Sequence, residues 1–339
     1  MDMGSVLMEL SAACGVCGDE AEAVETAAKY LAPLVDTVRI SPTGNLVGIR
    51  KCGRARARTV LLDAHLDEVG LLVTGQEDGL LKISGGVGGV DSRLLPGLVV
   101  KVLTEPAISG VVSVPEKPED TQKPFELDDL RIDCGLSREA AAQVPVGTRV
   151  AYGTQPWRAG MDRICGKSLD NRACFTALLR ALELTQGERL PVHVAVLGSV
   201  QEERGGLGAL TGAFDLEPDV ALVVDVTFGD SPDTLKERGL PLGSGAAIGY
   251  SPVLDRDGTR RLRRLAEQAG IPHTLEVMER GTGTNSMHTQ IAGKGVPSLL
   301  ISLPLRYMHT PAEEISLRDV EAVARLTAEF LRNCREVQP

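Results

Sequence analysis

The hydrophobic pattern divides the chain into three stretches. Residues 5–35 read as a helix interrupted by Gly and Cys, followed by the short run TVRI and a turn at Pro42-Thr43-Gly44-Asn45. LVGIRK then reads as a strand, and Arg54–Arg58 as a basic turn. In TVLLDAHLD the run from Thr59 to Ala64 is continuously apolar, as in a strand buried on both faces of a parallel sheet. From about Val73 to Gly160 the character changes. Short strands (LLKIS, GLVVKVL, ISGVVSV, RVAYG) alternate with Gly- and Pro-rich turns, the signature of a small all-β module.

After Gly166 strand and helix alternate again. Asp170–Thr185 reads as a helix, VHVAVLGSV as a buried strand, Gly206–Phe214 as a helix and DVALVVDVT as a strand. Thr259–Gly270 is a basic amphipathic helix, PSLLISL a strand, and Ser316–Arg335 a final helix started by Ser316. The fold class that follows is α/β. A three-layer α/β/α domain is expected from residues 1–72 and 164–339, with a small all-β, barrel-like domain inserted at 73–163.

Composition narrows the function. With 339 residues and 43% hydrophobic residues, the chain can bury a sizeable core, and no biased tract suggests disorder. Its 46 acidic residues against 36 basic ones leave a net charge of −10, and no Lys/Arg block offers a surface for nucleic acid. Ten aromatic residues are few for stacking bases or sugars. Asp2 and Glu9 stand where a signal peptide is basic and apolar, and no window approaches the roughly 18–20 apolar residues of a membrane span. A cytoplasmic protein with no membrane partner is expected. The seven Cys are scattered and read as reduced thiols, Cys14-Gly-Val-Cys17 included, because no second pair completes a zinc site.

Several polar residues stand at the carboxyl ends of buried strands, where open α/β sheets place their ligands. His65 and Asp67 lie two apart, so on a strand the carboxylate could brace the imidazole. Asp170, in Lys167-Ser168-Leu169-Asp170-Asn171-Arg172, reads either as a helix cap or as a ligand. Glu202 and Glu203 follow VHVAVLGSV, and both can face one site only if the chain turns there, which Gly205 and Gly206 allow. Asp225 sits inside the apolar run ALVVDVTF, where an ionised carboxylate needs a partner or a metal. His309 follows SLLISLP. His193, His273 and His288 read as structural or solvent-facing, with His273 in a turn.

These residues balance a pair of cations. Two divalent ions bring four positive charges; neutral His65 and His309 with Asp170, Glu203 and Asp225 supply three negative ones, and one hydroxide would balance the rest. Such mixed His and carboxylate donors suit zinc, cobalt or manganese. Glu202 would then be free to act as general base. Competing motifs fail. Gly160 is one residue too far from Gly166-Lys167-Ser168 for a P-loop, SGGVGGVD lacks dinucleotide spacing, and neither G-x-S-x-G nor H-E-x-x-H occurs.

With these motifs in view, the chain resembles the co-catalytic metallo-aminopeptidases of the tetrahedral and glutamyl aminopeptidase family, some of whose members carry a cellulase or endoglucanase label. The resemblance runs in order through Gly15-Val16-Cys17-Gly18, Gly44-Asn45 and Asp63-Ala64-His65-Leu66-Asp67-Glu68-Val69-Gly70. It continues through Leu169-Asp170-Asn171-Arg172, Val200-Gln201-Glu202-Glu203, Val224-Asp225-Val226-Thr227 and Arg306-Tyr307-Met308-His309-Thr310-Pro311-Ala312-Glu313. It implies that Asp170 bridges two metals, that His65 and Asp225 complete one site and Glu203 and His309 the other, that Glu202 is the base and that Asp67 orients His65. It also implies that the inserted β domain mediates dimer contacts within a homo-oligomer that can reach a tetrahedral dodecamer. Two departures stand out: Asn285 in Gly283-Thr284-Asn285-Ser286, where the family usually has Asp, and Cys17, where Ser is common.

The expected function is therefore an aminopeptidase that uses two divalent ions, zinc foremost, to remove N-terminal residues from short peptides. An amidohydrolase acting on N-acyl amino acids is the nearest alternative. A glycoside hydrolase using paired carboxylates such as Glu202 and Asp67 is another, which the scarcity of aromatic residues weakens. A non-catalytic module holding metal for structure is a third. The sequence leaves open the preferred N-terminal residue, the identity of the metal, and dimer against dodecamer.

Overall fold

The computed structural model describes residues 1–114, 126–232, 234 and 239–334. Arg335, the predicted end of the last helix, lies outside the described residues. A mixed eleven-stranded sheet forms the main domain. At its centre four parallel strands run in the order His193–Ser199, Thr59–His65, Val220–Phe228, Ser298–Arg306. These are the continuous apolar runs, and their alternate side chains serve two separate cores. Val60, Leu62, Val194, Val196, Leu222 and Val224 pack one face beneath the helices Leu169–Leu184 and Leu317–Asn333. Leu61, Ala195, Leu197 and Ala221 pack the other, against Ala213 of the helix Leu207–Leu216. Burial on both faces explains why no charged residue interrupts these runs before Asp63 and Asp225, towards the carboxyl ends of their strands.

Residues 70–152 supply a closed six-stranded antiparallel barrel, formed by Gly70–Glu77, Leu80–Val87, Arg131–Asp133, Ile108–Ser113, Val99–Val102 and Arg149–Tyr152. It has its own core, including Leu71, Val73, Leu81, Val100, Ile132 and Val150. The chain enters it through Gly70, where an added Cβ would lie 2.7 Å from the Val150 carbonyl oxygen. Closure leaves the barrel's strands without free edges.

Several elements differ from the sequence expectation. The interrupted helix at 5–35 is two helices, Met3–Ala12 and Ala21–Leu31, and the segment between them bridges from Val16 to Glu68. Trp157–Ala159, within the predicted insertion, pairs instead with Arg163–Gly166 on the edge of the main sheet. Ala246–Tyr250 and His273–Val277 form an additional parallel pair, so His273 opens a strand rather than a turn. Their small or half-exposed residues give little alternation to read. The basic helix begins earlier, at Arg256, because Asp255 caps it by accepting from Gly258 N–H. No described helix is long and apolar enough to cross a membrane.

Candidate metal centre

The parallel strands deliver polar residues to one end of the sheet. His65 ends the Thr59–His65 strand, Asp225 lies near the end of its own, and His309 follows the Ser298–Arg306 strand. Glu203 sits in the turn after Ser199, closed by Gly205 and Gly206 N–H donating to the Glu202 carbonyl. Asp170 comes from the irregular start of the Leu169–Leu184 helix, where Asp170 and Asn171 are not helical and Ser168 holds the cap position.

Asp170 stands between the two imidazoles. Its Oδ1 lies 3.1 Å from His65 Nε2, and its Oδ2 lies 3.4 Å from His309 Nε2. His65 Nε2 is also 3.9 Å from Asp225 Oδ1, and His309 Nε2 is 3.4 Å from Glu203 Oε1. Two donor trios result, His65–Asp170–Asp225 and Asp170–Glu203–His309, each with its ligand atoms within 4.8 Å of one another. Asp170 belongs to both.

The charges here are ill matched without a cation. Burial pushes the Asp225 carboxyl well above its usual range and raises Glu203. Burial opposes charging of His309, yet hydrogen bonds to Asp170 and Glu203 outweigh it and lift the imidazole to about 11. His65 is raised by Asp170 and Asp67 in the same way, and both imidazoles hold Asp170 below the ordinary carboxylate range. Clustered buried carboxylates that recruit protonated histidines form a site whose electrostatics favour positive charge. Two imidazoles and three carboxylates are also the donor chemistry of zinc, cobalt or manganese, so the residues fit a pair of such ions.

Neighbouring groups hold this arrangement. The Asp67 carboxylate lies 3.5 Å from His65 Nδ1, while the Asp67 carbonyl is closer at 3.2 Å. The strand ends at His65, so the two residues meet through a turn rather than on one strand face. The Asp67 carboxylate also accepts from Glu202 N–H and Glu203 N–H, each at 3.0 Å, and so fixes the acidic turn. Glu202 is raised to about 8 by burial, then by Glu203, Asp67 and Asp170, against the pull of His65. Ser168, Gln201, Tyr307 and His309 all have positive φ, so backbone of high local energy clusters around the donors.

Two supports had no role assigned from sequence. Glu313 is 2% exposed; its Oε2 accepts from Asp170 N–H at 3.0 Å and its Oε1 from His309 N–H at 2.9 Å. Its place at the end of the run Arg306-Tyr307-Met308-His309-Thr310-Pro311-Ala312-Glu313 was the available signal. Beneath the site, Lys167 Nζ donates to both Glu68 oxygens at 2.8 Å, and the buried Arg172 guanidinium approaches Glu68 Oε1 at 3.4 Å. Lys167 thus has a structural partner in place of a phosphate.

The remaining sequence candidates fall outside the trios. Asn285 donates to Ser199 Oγ at 2.8 Å, and Ser199 Oγ donates to Asp63 at 2.6 Å, in a buried chain beside His65. His288 packs on Gly206, where a Cβ would lie 2.1 Å from its ring. His193 accepts from Cys52 N–H. Cys14 and Cys17 are free and buried, and the Cys17 thiol, raised by burial and then by Asp67, lies with Glu20 and Asp67 in a third cluster.

Comparison with known proteins identifies the family. The model of the M42 glutamyl aminopeptidase family matches residues 44–326. The chain belongs to this family. It is 29% identical to a lysyl aminopeptidase of Pyrococcus furiosus, over 90% of this chain and 89% of that protein. Among solved structures, an aminopeptidase of the archaeon Desulfurococcus kamchatkensis superposes with a TM-score of 0.91 at 32% identity, covering 98% and 94% of the two chains. A TET1 peptidase of Pyrococcus horikoshii, which can assemble into a tetrahedron or a large octahedral shell, superposes at 0.85 with 28% identity, covering 98% of this chain and all of that one. The M42 chain is thus an aminopeptidase by family, with an α/β domain and inserted barrel like those relatives.

Proposed function

We propose that this M42 chain removes N-terminal residues from short peptides with two divalent cations, held by His65, Asp170 and Asp225 on one side and by Asp170, Glu203 and His309 on the other. The observation that carries the reading is Asp170, whose two oxygens each face one imidazole. Zinc is the first candidate, with cobalt or manganese as alternatives, and such ions polarise a carbonyl and lower the pKa of a bound water from near 16 toward about 7.

The protein's own groups do the rest. Glu202, beside the trios and not part of either, accepts the proton of the attacking water and returns it to the leaving amine. Asp67 keeps Glu202 in place through the turn, and Glu313 fixes Asp170 and His309. A cavity of about 980 Å³ opens beside His309, with Leu94 and Leu98 of the barrel domain facing Phe228 and Met308 of the main domain. Its charged residues, Asp91 and Arg93, pair with each other at 2.9–3.0 Å. A largely apolar wall whose Asp91 and Arg93 neutralise each other suits an apolar N-terminal side chain, and a leucyl substrate should exceed a glutamyl or lysyl one by about tenfold or more in kcat/KM.

The same reading makes the barrel the dimer contact of a larger homo-oligomer. Val99 and Val111, register partners on adjacent barrel strands, are both exposed. The direct test of the chemistry is Glu202→Gln. It should retain both cations and lose about 10²–10⁴ in rate, the contribution of a general base. Near-full activity would end the assignment.

A further inference from the structure

The opposite end of the parallel strands carries a second constellation. Arg54, Arg56 and Arg58 lie on the turn before Thr59–His65, Arg189 just before His193–Ser199, and Arg332 in the last turn of the Leu317–Asn333 helix. All five line one cavity of about 830 Å³, which also meets the buried side chains of Val192 and Cys334. A seven-residue strand spans about 20 Å, so this cavity is well separated from the metal trios at the other strand ends.

Its charge is largely uncompensated. Glu188 and Glu329 bind Arg332 at 2.7 and 2.8 Å. Among the described residues, Arg54, Arg56, Arg58 and Arg189 form no ion pair. The other charges facing the floor are Arg261 on the neighbouring helix and Asp219. Asp219 accepts from Thr59 N–H at 2.8 Å, and all three of Arg261, Arg58 and Asp219 are felt at the Cys334 thiol. Four arginines without an ion-pair partner among the described residues, around one cavity, run against a chain with ten more acidic than basic charges. Like charges repel, and their convergence becomes favourable when an anion sits among them. Among the described residues no lysine lines the cavity, and the planar guanidinium fork matches the oxygens of a phosphate in paired hydrogen bonds.

We propose that this cavity binds a compact, multiply charged anion of the phosphate class, such as a small phosphorylated metabolite or inorganic triphosphate. The net charge of −10 repels an extended polyanion, so a nucleic acid is not the ligand. The site is independent of the metal centre.

Calorimetric titration of the full-length chain with inorganic triphosphate tests this. One triphosphate should bind per chain, with affinity falling as salt is added. Arg58→Ala and Arg189→Ala should each weaken it about 10- to 100-fold, the effect of losing a hydrogen bond to a charged group. His309→Ala should leave it intact. The proposal fails if wild type takes up no triphosphate, or if the arginine variants bind it equally. It fails too if His309→Ala abolishes binding, since triphosphate would then sit at the metal centre. If wild type binds none while light scattering shows the variants changing oligomer mass, the arginines serve a contact between copies and the proposal is overturned.

Discussion

Replacing Glu313 by Gln isolates the scaffold that aims two of the metal donors. The Glu313 carboxylate accepts two backbone N–H groups, from Asp170 and His309, inside a buried pocket. Glutamine keeps one acceptor oxygen and turns an NH₂ toward the other N–H, so one bond to a charged group is lost. Such a bond contributes about 1.5–3 kcal/mol, which converts to about 10- to 150-fold in affinity. Asp170 serves both trios, so the loss should appear in the hold on both cations, read by competition with a calibrated chelator and by metal content after dialysis. Thermal unfolding in chelator separates this from misfolding. Burial and the nearby Asp170 raise the Glu313 carboxyl well above its usual range, so removing that charge should leave the metal-free fold equally or more stable. A Gln variant with unchanged metal affinity and turnover would refute the argument that Glu313 positions the centre.

Other perturbations test neighbouring links. Gly89→Ala places a Cβ 2.8 Å from His309 Nδ1, so it should displace the imidazole and cut kcat/KM at least about tenfold while leaving the melting temperature within a few degrees; equal activity would contradict it. Lys167→Met leaves the buried Glu68 carboxylate only the longer ion-pair contact to Arg172 and should destabilise the fold by up to about 3–5 kcal/mol in urea unfolding. In the metal-free chain His309 has a pKa of about 11 against an ordinary 6.5, so its stabilisation is complete below 6.5 and disappears as pH rises through 11. A cation must displace that proton, so metal affinity should rise with pH. Calorimetry in buffers of different ionisation enthalpy should register proton release, and its absence would contradict the protonated site.

The parallel strands were legible because burial on both faces leaves continuous apolar runs, and their polar ends marked His65, Asp225 and His309. The acidic turn was legible because Gly205 and Gly206 permit it. What the local pattern concealed depends on tertiary partners. Asp170 alone reads first as a helix cap, and reads as a ligand only when His65 and His309 stand on either side of its carboxylate. Glu313 closes the motif around His309, yet its role appears only when its oxygens meet two backbone amides. Asn285 drew notice as a departure near the site, yet it binds Ser199 and not the donor trios. The strands Ala246–Tyr250 and His273–Val277 escaped because small and half-exposed residues carry no clear period.

The most direct measurement is to strip the chain with chelator and return zinc, cobalt or manganese while following one short peptide in two forms, with a free and with an acetylated N-terminus. The account predicts that activity vanishes on stripping and returns with two equivalents of metal per chain, and that only the free peptide is cleaved. Hydrolysis by the stripped chain, saturation at one equivalent, or cleavage of the acetylated peptide would contradict it.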